Sequence, residues 1–161
     1  MGKQKEEKTN AMRILETAGI AFETLSYPVD ENDLSGVHIA KELNLPPEQV
    51  FKTLVAKGSK NGYLVFVIPV ADSLDLKKAA RAVGEKSIEM VAVKEINALT
   101  GYVRGGCSPV GMKKRYHTVF HETAEIVDTI MVSAGKIGYQ VELAPQSLME
   151  LVGGQLADLT V

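Results

Sequence analysis

The sequence predicts a mixed α+β fold in which short helices flank a curved, barrel-like mixed β-sheet. Segments typical of strands outnumber long amphipathic helices, and the two kinds of segment do not alternate regularly along the chain. Regular alternation would instead have favoured a doubly wound parallel sheet. The length of 161 residues, without repeats or linker-like stretches, is that of one domain. We therefore expect a single domain over residues 1–161, with residues 1–9 frayed.

The helices are predicted from the spacing of apolar residues and from signals at their ends. Near the N-terminus, Ala11, Ile14 and Leu15 recur at helical spacing, and Gly19 stands where a C-terminal glycine belongs. Ser35 can cap a second short helix, because its hydroxyl can accept a hydrogen bond from a free N–H of the first turn. Further helices are expected over residues 75–83, 94–99 and 145–151.

The strands are predicted from β-branched and aromatic runs that end at turn residues. Residues 51–56 and 63–70 form a predicted hairpin, for which Asn61-Gly62 is the strongest turn signal. The stretch from Gly101 to Gly111 is rich in glycine and is predicted to be a loop. Other strands are expected over residues 21–27, 88–91, 117–120, 125–132, 139–143 and 156–161.

Composition excludes several classes of protein. With 18 Lys and Arg against 20 Asp and Glu, the net charge of −2 argues against coating nucleic acid over a wide face, although a local basic patch is compatible with it. No apolar run approaches the roughly 20 residues of a membrane span, and the charged N-terminus is unlike a secretory signal. The single cysteine, Cys107, cannot form an intramolecular disulfide, so we expect a cytoplasmic protein.

The glycine-rich loop is the first candidate for a functional site. The pair Gly105-Gly106 lets backbone N–H groups point into a pocket, which suits a developing oxyanion. Its spacing fits neither a Walker A loop nor a dinucleotide fingerprint. The alternative is a tight connection that requires positive φ angles. The basic run that follows, Lys113-Lys114-Arg115, is either a solvated face or a phosphate contact.

Lys52 is the second candidate, because its predicted neighbours on the same strand face, Val50 and Leu54, are apolar. A lysine in such a position indicates a pocket, where it would bind a phosphate or an ester oxygen. The alternative is an edge-strand lysine that prevents aggregation.

The remaining reactive side chains are weaker candidates for a functional site. Cys107 has no base near it in sequence, so it is interpreted as a small buried hydrophobe rather than a nucleophile. His117 and His121 lack the further ligands that would complete a tetrahedral set. We therefore predict no metal and no cofactor.

Four motifs follow one another along the chain: Phe51-Lys52-Thr53-Leu54, Leu76-Lys77-Lys78-Ala79-Ala80, Gly101-Tyr102 with the loop from Gly105 to Lys114, and Val132-Ser133-Ala134-Gly135-Lys136 with Gly138. In this order they resemble the YbaK/EbsC family, Cys-tRNA(Pro) deacylases that are relatives of the editing domain inserted in bacterial prolyl-tRNA synthetases. The loop Gly-Gly-x-Ser-Pro-x-Gly-x-Lys-Lys separates this branch from the Ala-tRNA(Pro) deacylases, which usually carry a Pro-Phe-Gly loop. The resemblance extends over residues 12–159.

By residue, the resemblance implies that Lys52 and Gly105 are the catalytic residues. Gln140 stands where the family often has an acidic or small residue, which weakens a catalytic role at that position. Substrate contacts are expected from Tyr27, Leu34, Thr53, Gly106, Ser108 and Pro109.

The implied reaction is the hydrolytic editing, in trans, of tRNA(Pro) mischarged with cysteine, with prolyl-tRNA synthetase as a partner. The substrate's own thiol would attack its ester carbonyl and release a cyclic thiolactone. Two alternatives stay open: an editing deacylase for alanine or another small amino acid, and a non-catalytic module that binds tRNA or a synthetase. No membrane is involved in any of them. Phosphates of the tRNA are expected to contact Lys77, Lys78, Arg81, Lys113, Lys114 and Arg115.

Overall fold

The computed structural model describes residues 8–29, 32 and 35–161. Its helices are Asn10–Thr17 (α1), Gly36–Glu42 (α2), Leu76–Val83 (α3), Val93–Thr100 (α4) and Pro145–Val152 (α5). Its strands are Phe22–Ser26 (β1), Phe51–Gly58 (β2), Gly62–Pro69 (β3), Ile88–Met90 (β4), His117–His121 (β5), Ile130–Ser133 (β6), Tyr139–Leu143 (β7) and Gln155–Ala157 (β8). None of the helices of this part of the chain combines the length and the apolar character that crossing a bilayer requires.

The strands form two sheets, which confirms the predicted α+β class. One is antiparallel with the order β1-β7-β6, and the other has the order β4-β2-β3-β5-β8 with parallel pairs at β3–β5 and β5–β8. A single parallel bridge between Val50 and Met131 joins β2 to β6. The arrangement is therefore barrel-like without being closed.

The central hairpin shows why these segments are strands. Gly62 has a φ of +75° at the start of β3, as the predicted Asn61-Gly62 turn requires. Because successive side chains of a strand point to opposite faces, Val65 and Val67 pack into one core cluster while Leu64 and Phe66 pack into another. Helix α3 covers the second cluster, which explains why β3 is buried on both faces.

Three predicted boundaries differ in the structure. The strand predicted over residues 125–132 is wrong in its first half: Glu122–Glu125 form a 3₁₀ turn and only Ile130–Ser133 pair with β7. Ile126, which made this run look strand-like, is 79% exposed. The last strand also begins and ends earlier than predicted, at Gln155–Ala157. The predicted fraying falls mainly on residues 1–7, outside the described residues, but Thr9 caps α1 by accepting the Met12 N–H at 3.2 Å.

The first half of β2 has an open edge, which later positions the site. β4 pairs only with the last part of β2, from Ala56 onward. Pro69, which has no N–H, faces Phe51, so this is a non-hydrogen-bonded pair of the antiparallel ladder. By alternation, the N–H and C=O of Phe51 and Thr53 point away from β3. Val55 follows the same alternation, since its C=O accepts the Val91 N–H at 3.1 Å.

Glu85 holds the turn of the β2–β3 hairpin. This carboxylate is only 7% exposed and accepts hydrogen bonds from the N–H groups of Lys60 and Asn61 and from the Ser59 hydroxyl. Burial by itself would raise the pKa of Glu85, but these donors together hold it below its ordinary value. Gly58 makes room for the carboxyl group, because a Cβ at this position would overlap it.

We predict that Glu85→Gln lowers the free energy of unfolding at neutral pH, because an amide offers one acceptor and brings two donors against N–H groups. Since the pKa is lower in the folded state, the stabilisation is present above the unfolded-state pKa and is lost as pH falls through the folded value. Urea unfolding from about pH 7 down to about pH 3 should therefore show wild type and variant converging. Glu150→Gln, on the exposed side of α5, is the control. A gap that stays constant with pH would contradict this account.

Candidate active site

A small cavity of about 90 Å³ lies beside the open edge of β2. It is formed where β2 meets α2, the glycine-rich loop and the adjoining ends of β6 and β7. The structure thus brings together three of the predicted site residues, Lys52, Thr53 and Gly105. The full lining consists of Gly36, Ile39, Val50, Phe51, Lys52, Thr53, Val70, Gly105, Cys107, Ser133 and Gln140.

Lys52 is half-buried in this cavity. Burial lowers the pKa of its ammonium group, and the nearby negative charge of Asp72 opposes that shift. Lys52 therefore lines a pocket, and it belongs to the half of β2 that β4 leaves unpaired. The cavity consequently offers one cationic side chain with reduced hydration.

The two glycines of the predicted pair have different roles. Gly105, with a φ of +87°, lines the cavity, and its N–H has no acceptor among the residues that the structure describes. The N–H of Gly106 instead donates to the Val103 C=O at 2.9 Å. A Cβ on Gly106 would lie 3.1 Å from the Ile137 nitrogen, so this glycine lets the loop approach the β6–β7 turn. Only the first glycine leaves an N–H for a ligand.

Tyr102 fixes the glycine-rich loop in place, a role that the sequence did not reveal. Its hydroxyl donates to the Val110 C=O, which ties the two ends of the loop together. A Cβ on Gly111 or on Gly135 would lie 2.8 Å from atoms of the Tyr102 ring or hydroxyl. Burial raises the pKa of Tyr102 to about 12, with a smaller contribution from Cys107, so the phenol remains a donor at neutral pH.

The other predicted loop residues do not present reactive groups to the cavity. Burial raises the pKa of Cys107 to about 11, although a hydrogen bond with the Thr100 side chain works against this, so the thiol is neutral at pH 7. Ser108 is fully buried, and its hydroxyl accepts the Val110 N–H at 3.2 Å. Pro109 lines a separate cavity on the far side of the loop.

Two further predicted contacts lie outside the lining. Tyr27 is buried, and its N–H donates to the Gly138 C=O at 3.0 Å, so it supports the β6–β7 turn from the end of β1. Leu34 falls outside the described residues.

One of the predicted phosphate contacts, Lys78, is engaged within the protein. Lys78 donates to the Asp158 carboxylate at 2.9 Å and to the Thr160 C=O at 2.7 Å. The Arg115 guanidinium covers the C-terminal end of α5, 2.8 Å from where a Cβ of Gly153 would lie. Arg115 is exposed, as are the remaining four, Lys77, Arg81, Lys113 and Lys114. Lys113 and Lys114 line, with Arg115 and Pro109, the separate cavity of about 220 Å³.

The structure also groups His121 with two carboxylates, although the sequence analysis predicted no metal site. One ligand atom each of His121, Glu122 and Asp158 lies within 4.8 Å of the others. The Nδ1 atom of His121 already accepts the Leu159 N–H at 3.1 Å, and Asp158 pairs with Lys78. These hydrogen bonds explain the arrangement as a support for the C-terminal segment.

Comparison with known proteins assigns the family. Residues 35–151 match the model of the aminoacyl-tRNA editing domain. The chain belongs to this family. The chain is 45% identical over 158 residues to an Enterococcus faecalis protein named "Putative Cys-tRNA(Pro)/Cys-tRNA(Cys) deacylase EbsC", covering 98% of this chain and 96% of the relative.

Two further comparisons agree with this assignment. The chain is 30% identical over 94 residues to a "Proline--tRNA ligase" of Thermosipho africanus, a match that covers 58% of this chain and 17% of the ligase. A solved structure described as "a putative trans-editing enzyme for prolyl tRNA synthetase" superposes with a TM-score of 0.82 at 26% identity, over 95% of this chain and 98% of that one. The predicted family resemblance is confirmed.

We predict that Tyr102→Phe lowers the free energy of unfolding by about 1–2 kcal/mol, because the buried Val110 carbonyl loses its donor. Amide hydrogen exchange in residues 103–111 should accelerate at the same time, since the loop ends are no longer tied. Tyr63→Phe is the matched control, because the Tyr63 hydroxyl has no hydrogen bond within the described part of the chain. Equal effects of the two substitutions would contradict the role assigned to Tyr102.

Proposed function

We propose that this chain is a trans-editing hydrolase that deacylates tRNA(Pro) mischarged with cysteine. The observation that carries the proposal is the composition of the cavity beside β2. It combines the Lys52 cation with the free N–H of Gly105, and its described lining contains no His, Asp or Glu to serve as a general base. Such a site suits a reaction in which the enzyme binds and polarises an ester whose nucleophile comes from elsewhere.

The nucleophile is the thiol of the substrate's own cysteinyl group. The thiolate sulfur attacks the ester carbonyl carbon, a C–S bond forms, and the carbonyl oxygen takes up the negative charge. When this oxyanion collapses, the C–O bond to the ribose breaks, and the tRNA hydroxyl leaves with the proton that the thiol lost. The released thiolactone then opens by reaction with water. The alternative nucleophile, Cys107, is disfavoured because its raised pKa keeps it protonated.

Lys52 and Gly105 have complementary roles in this reaction. The Gly105 N–H donates to the developing oxyanion, a type of contact whose loss costs about 10²–10³ in rate in other enzymes. Lys52 binds the terminal nucleotide through its phosphate or ribose oxygens, and Asp72 helps to keep it charged. Thr53 contributes to the wall that receives the aminoacyl group. Contacts from Tyr27, Leu34, Gly106, Ser108 and Pro109 stay predictions, and those that the structure describes act through the loop and turns around the cavity.

The relatives support this substrate over the alternatives. The Enterococcus relative is named for Cys-tRNA(Pro) and Cys-tRNA(Cys), and the Thermosipho relative is a proline–tRNA ligase. An alanine-specific editor would require activated water, for which the cavity shows no base. A purely binding module would not require Lys52 and Gly105 to meet in one cavity. We include prolyl-tRNA synthetase as the partner that produces the mischarged tRNA.

We predict that Lys52→Ala lowers the deacylation rate of Cys-tRNA(Pro) by about a hundredfold or more, with little change in the free energy of unfolding, because a half-exposed lysine contributes little to packing. Cys107→Ser is the matched control, since it alters the same cavity and should keep the rate within about tenfold of wild type. The measurement is single-turnover deacylation, with urea unfolding in parallel. Near wild-type turnover by the Lys52 variant would contradict the catalytic role that we assign to Lys52. A large loss in the folded Cys107 variant would instead indicate covalent catalysis by the enzyme.

We predict that Ser-tRNA(Pro) is deacylated far more slowly than Cys-tRNA(Pro), because a hydroxyl of similar size is a much weaker nucleophile at neutral pH. A pocket alone discriminates poorly between such near-isosteres. The rate on the cysteine substrate should rise with pH towards the ionisation of the thiol, near about 8.5 if unperturbed. Single-turnover rates for both substrates between about pH 6 and 9 test this. Equal rates with a flat pH profile would show that water is the nucleophile.

We predict that Lys113→Glu combined with Lys114→Glu raises the KM for tRNA and reduces its dependence on salt, because these cations are exposed and have no ion-pair partner among the described residues. Lys78→Gln should have a smaller effect on the salt slope, since its ammonium is already paired with Asp158. Lys86→Glu, beside the hairpin-turn end of β2, is the control for a general change in charge. If the Lys113/Lys114, Lys78 and Lys86 variants all show the same dependence of KM on salt, the proposed tRNA-binding face is wrong.

A further inference from the structure

Gln140 is a buried polar side chain whose oxygen has no partner. It lies in β7, opposite Ser133 of β6 and Leu25 of β1, and is only 3% exposed. Its Oε1 atom finds no hydrogen-bond donor among the described residues, and the same is true of the Thr53 hydroxyl. Both side chains line the cavity beside β2. Because native proteins pair nearly all buried polar groups, an unpaired buried oxygen in the lining of a cavity indicates a ligand that supplies a donor.

The size of the cavity restricts what can supply those donors. At about 90 Å³ the cavity is small, which favours a small aminoacyl group over a nucleoside as its occupant. A cysteinyl ester carries two kinds of donor, the α-ammonium and the thiol. The thiol becomes a thiolate in the proposed reaction and would then be repelled by an amide oxygen. The α-ammonium, with three N–H donors, is therefore the matching group.

We propose that Gln140 accepts a hydrogen bond from the α-ammonium of the aminoacyl group. This rests on the proposed deacylase function and assigns a specificity residue to it. Holding the nitrogen fixes the direction of the Cα substituents, and thereby orients the side-chain thiol towards the carbonyl carbon. The site recognises the amino group with a neutral amide oxygen, because its described lining contains no carboxylate.

The test compares two substrates that differ only in the amino group: Cys-tRNA(Pro) and the same tRNA esterified with 3-mercaptopropionate, which keeps the thiol and lacks the amine. Gln140→Met preserves the length of the side chain and removes the acceptor, whereas Gln140→Glu retains an acceptor. Gln146→Met, on the exposed side of α5, is the matched control. Single-turnover rates are measured for wild type and the three variants on both substrates, and urea unfolding checks their folding.

We expect Gln140→Met to lose about 10–100-fold in rate on the cysteine substrate, as for a lost hydrogen bond to a charged group, and to change little on mercaptopropionate. Gln140→Glu should recover most of the loss. Equal losses on both substrates, or a methionine variant as fast as wild type on the cysteine substrate, would overturn the role of Gln140 while leaving the deacylase function in place. A folded wild-type protein inactive on both substrates would overturn the proposed function, and this inference with it.

Discussion

The open edge of β2 is the structural constraint on which the site depends. β4 is too short to pair with the first half of β2, and Pro69 fixes which backbone groups of that half face β3. Consequently the N–H and C=O groups of Phe51 and Thr53 are directed to a side that β4 does not reach, and where β6 meets the start of β2 at the Val50–Met131 bridge. The glycine-rich loop and the β6–β7 turn border the rest of this side, and the space that they leave is the cavity. An edge that elsewhere would invite aggregation thereby borders the candidate site.

Covering the edge in this way requires close backbone contacts, and these account for the glycines around the site. Gly106 allows the loop to approach the β6–β7 turn, while Gly111 and Gly135 lie against the Tyr102 ring. Because the loop packs against both the β6–β7 turn and the Tyr102 ring, the N–H of Gly105 is held in a fixed position. Such preorganisation matters for an oxyanion, because a donor that must first reorient stabilises a transition state less well. The catalytic contribution that we propose for Gly105 therefore rests on residues that do not touch the substrate.

Local signals in the sequence identified most of the secondary structure and part of the site. The hairpin, α3 and α4 were predicted because turn residues and apolar spacing act within a few neighbours; Asp75, for example, caps α3 by accepting the Lys77 and Lys78 N–H groups. The strand predicted from residue 125 failed because strand formation requires a partner, and β7 reaches only to Ile130. The hydrogen bond of the Gly106 N–H and the role of Tyr102 in fixing the loop could not be predicted from the sequence, since both depend on how the loop folds and packs.

The unpaired oxygen of Gln140 belongs to the same class of features. From the sequence, Gln140 could be noted only as a departure from its family's usual residue, which argued against a role. The structure favours a role for Gln140, because a buried acceptor without a donor is destabilising unless a ligand supplies the donor.

The hairpin turn at the other end of β2 has a consequence for how this sequence can vary. Gly58 has an ordinary backbone conformation, so it is a glycine only because the Glu85 carboxyl group occupies the space where a Cβ would be. The Glu85 side chain, which follows α3, thus determines which residue fits at position 58 at the end of β2. Related sequences that lack an acidic residue at position 85 should be free to carry alanine or serine at position 58, whereas those that keep it should keep the glycine. We therefore expect positions 58 and 85 to co-vary among related sequences, although they are distant from each other in the chain.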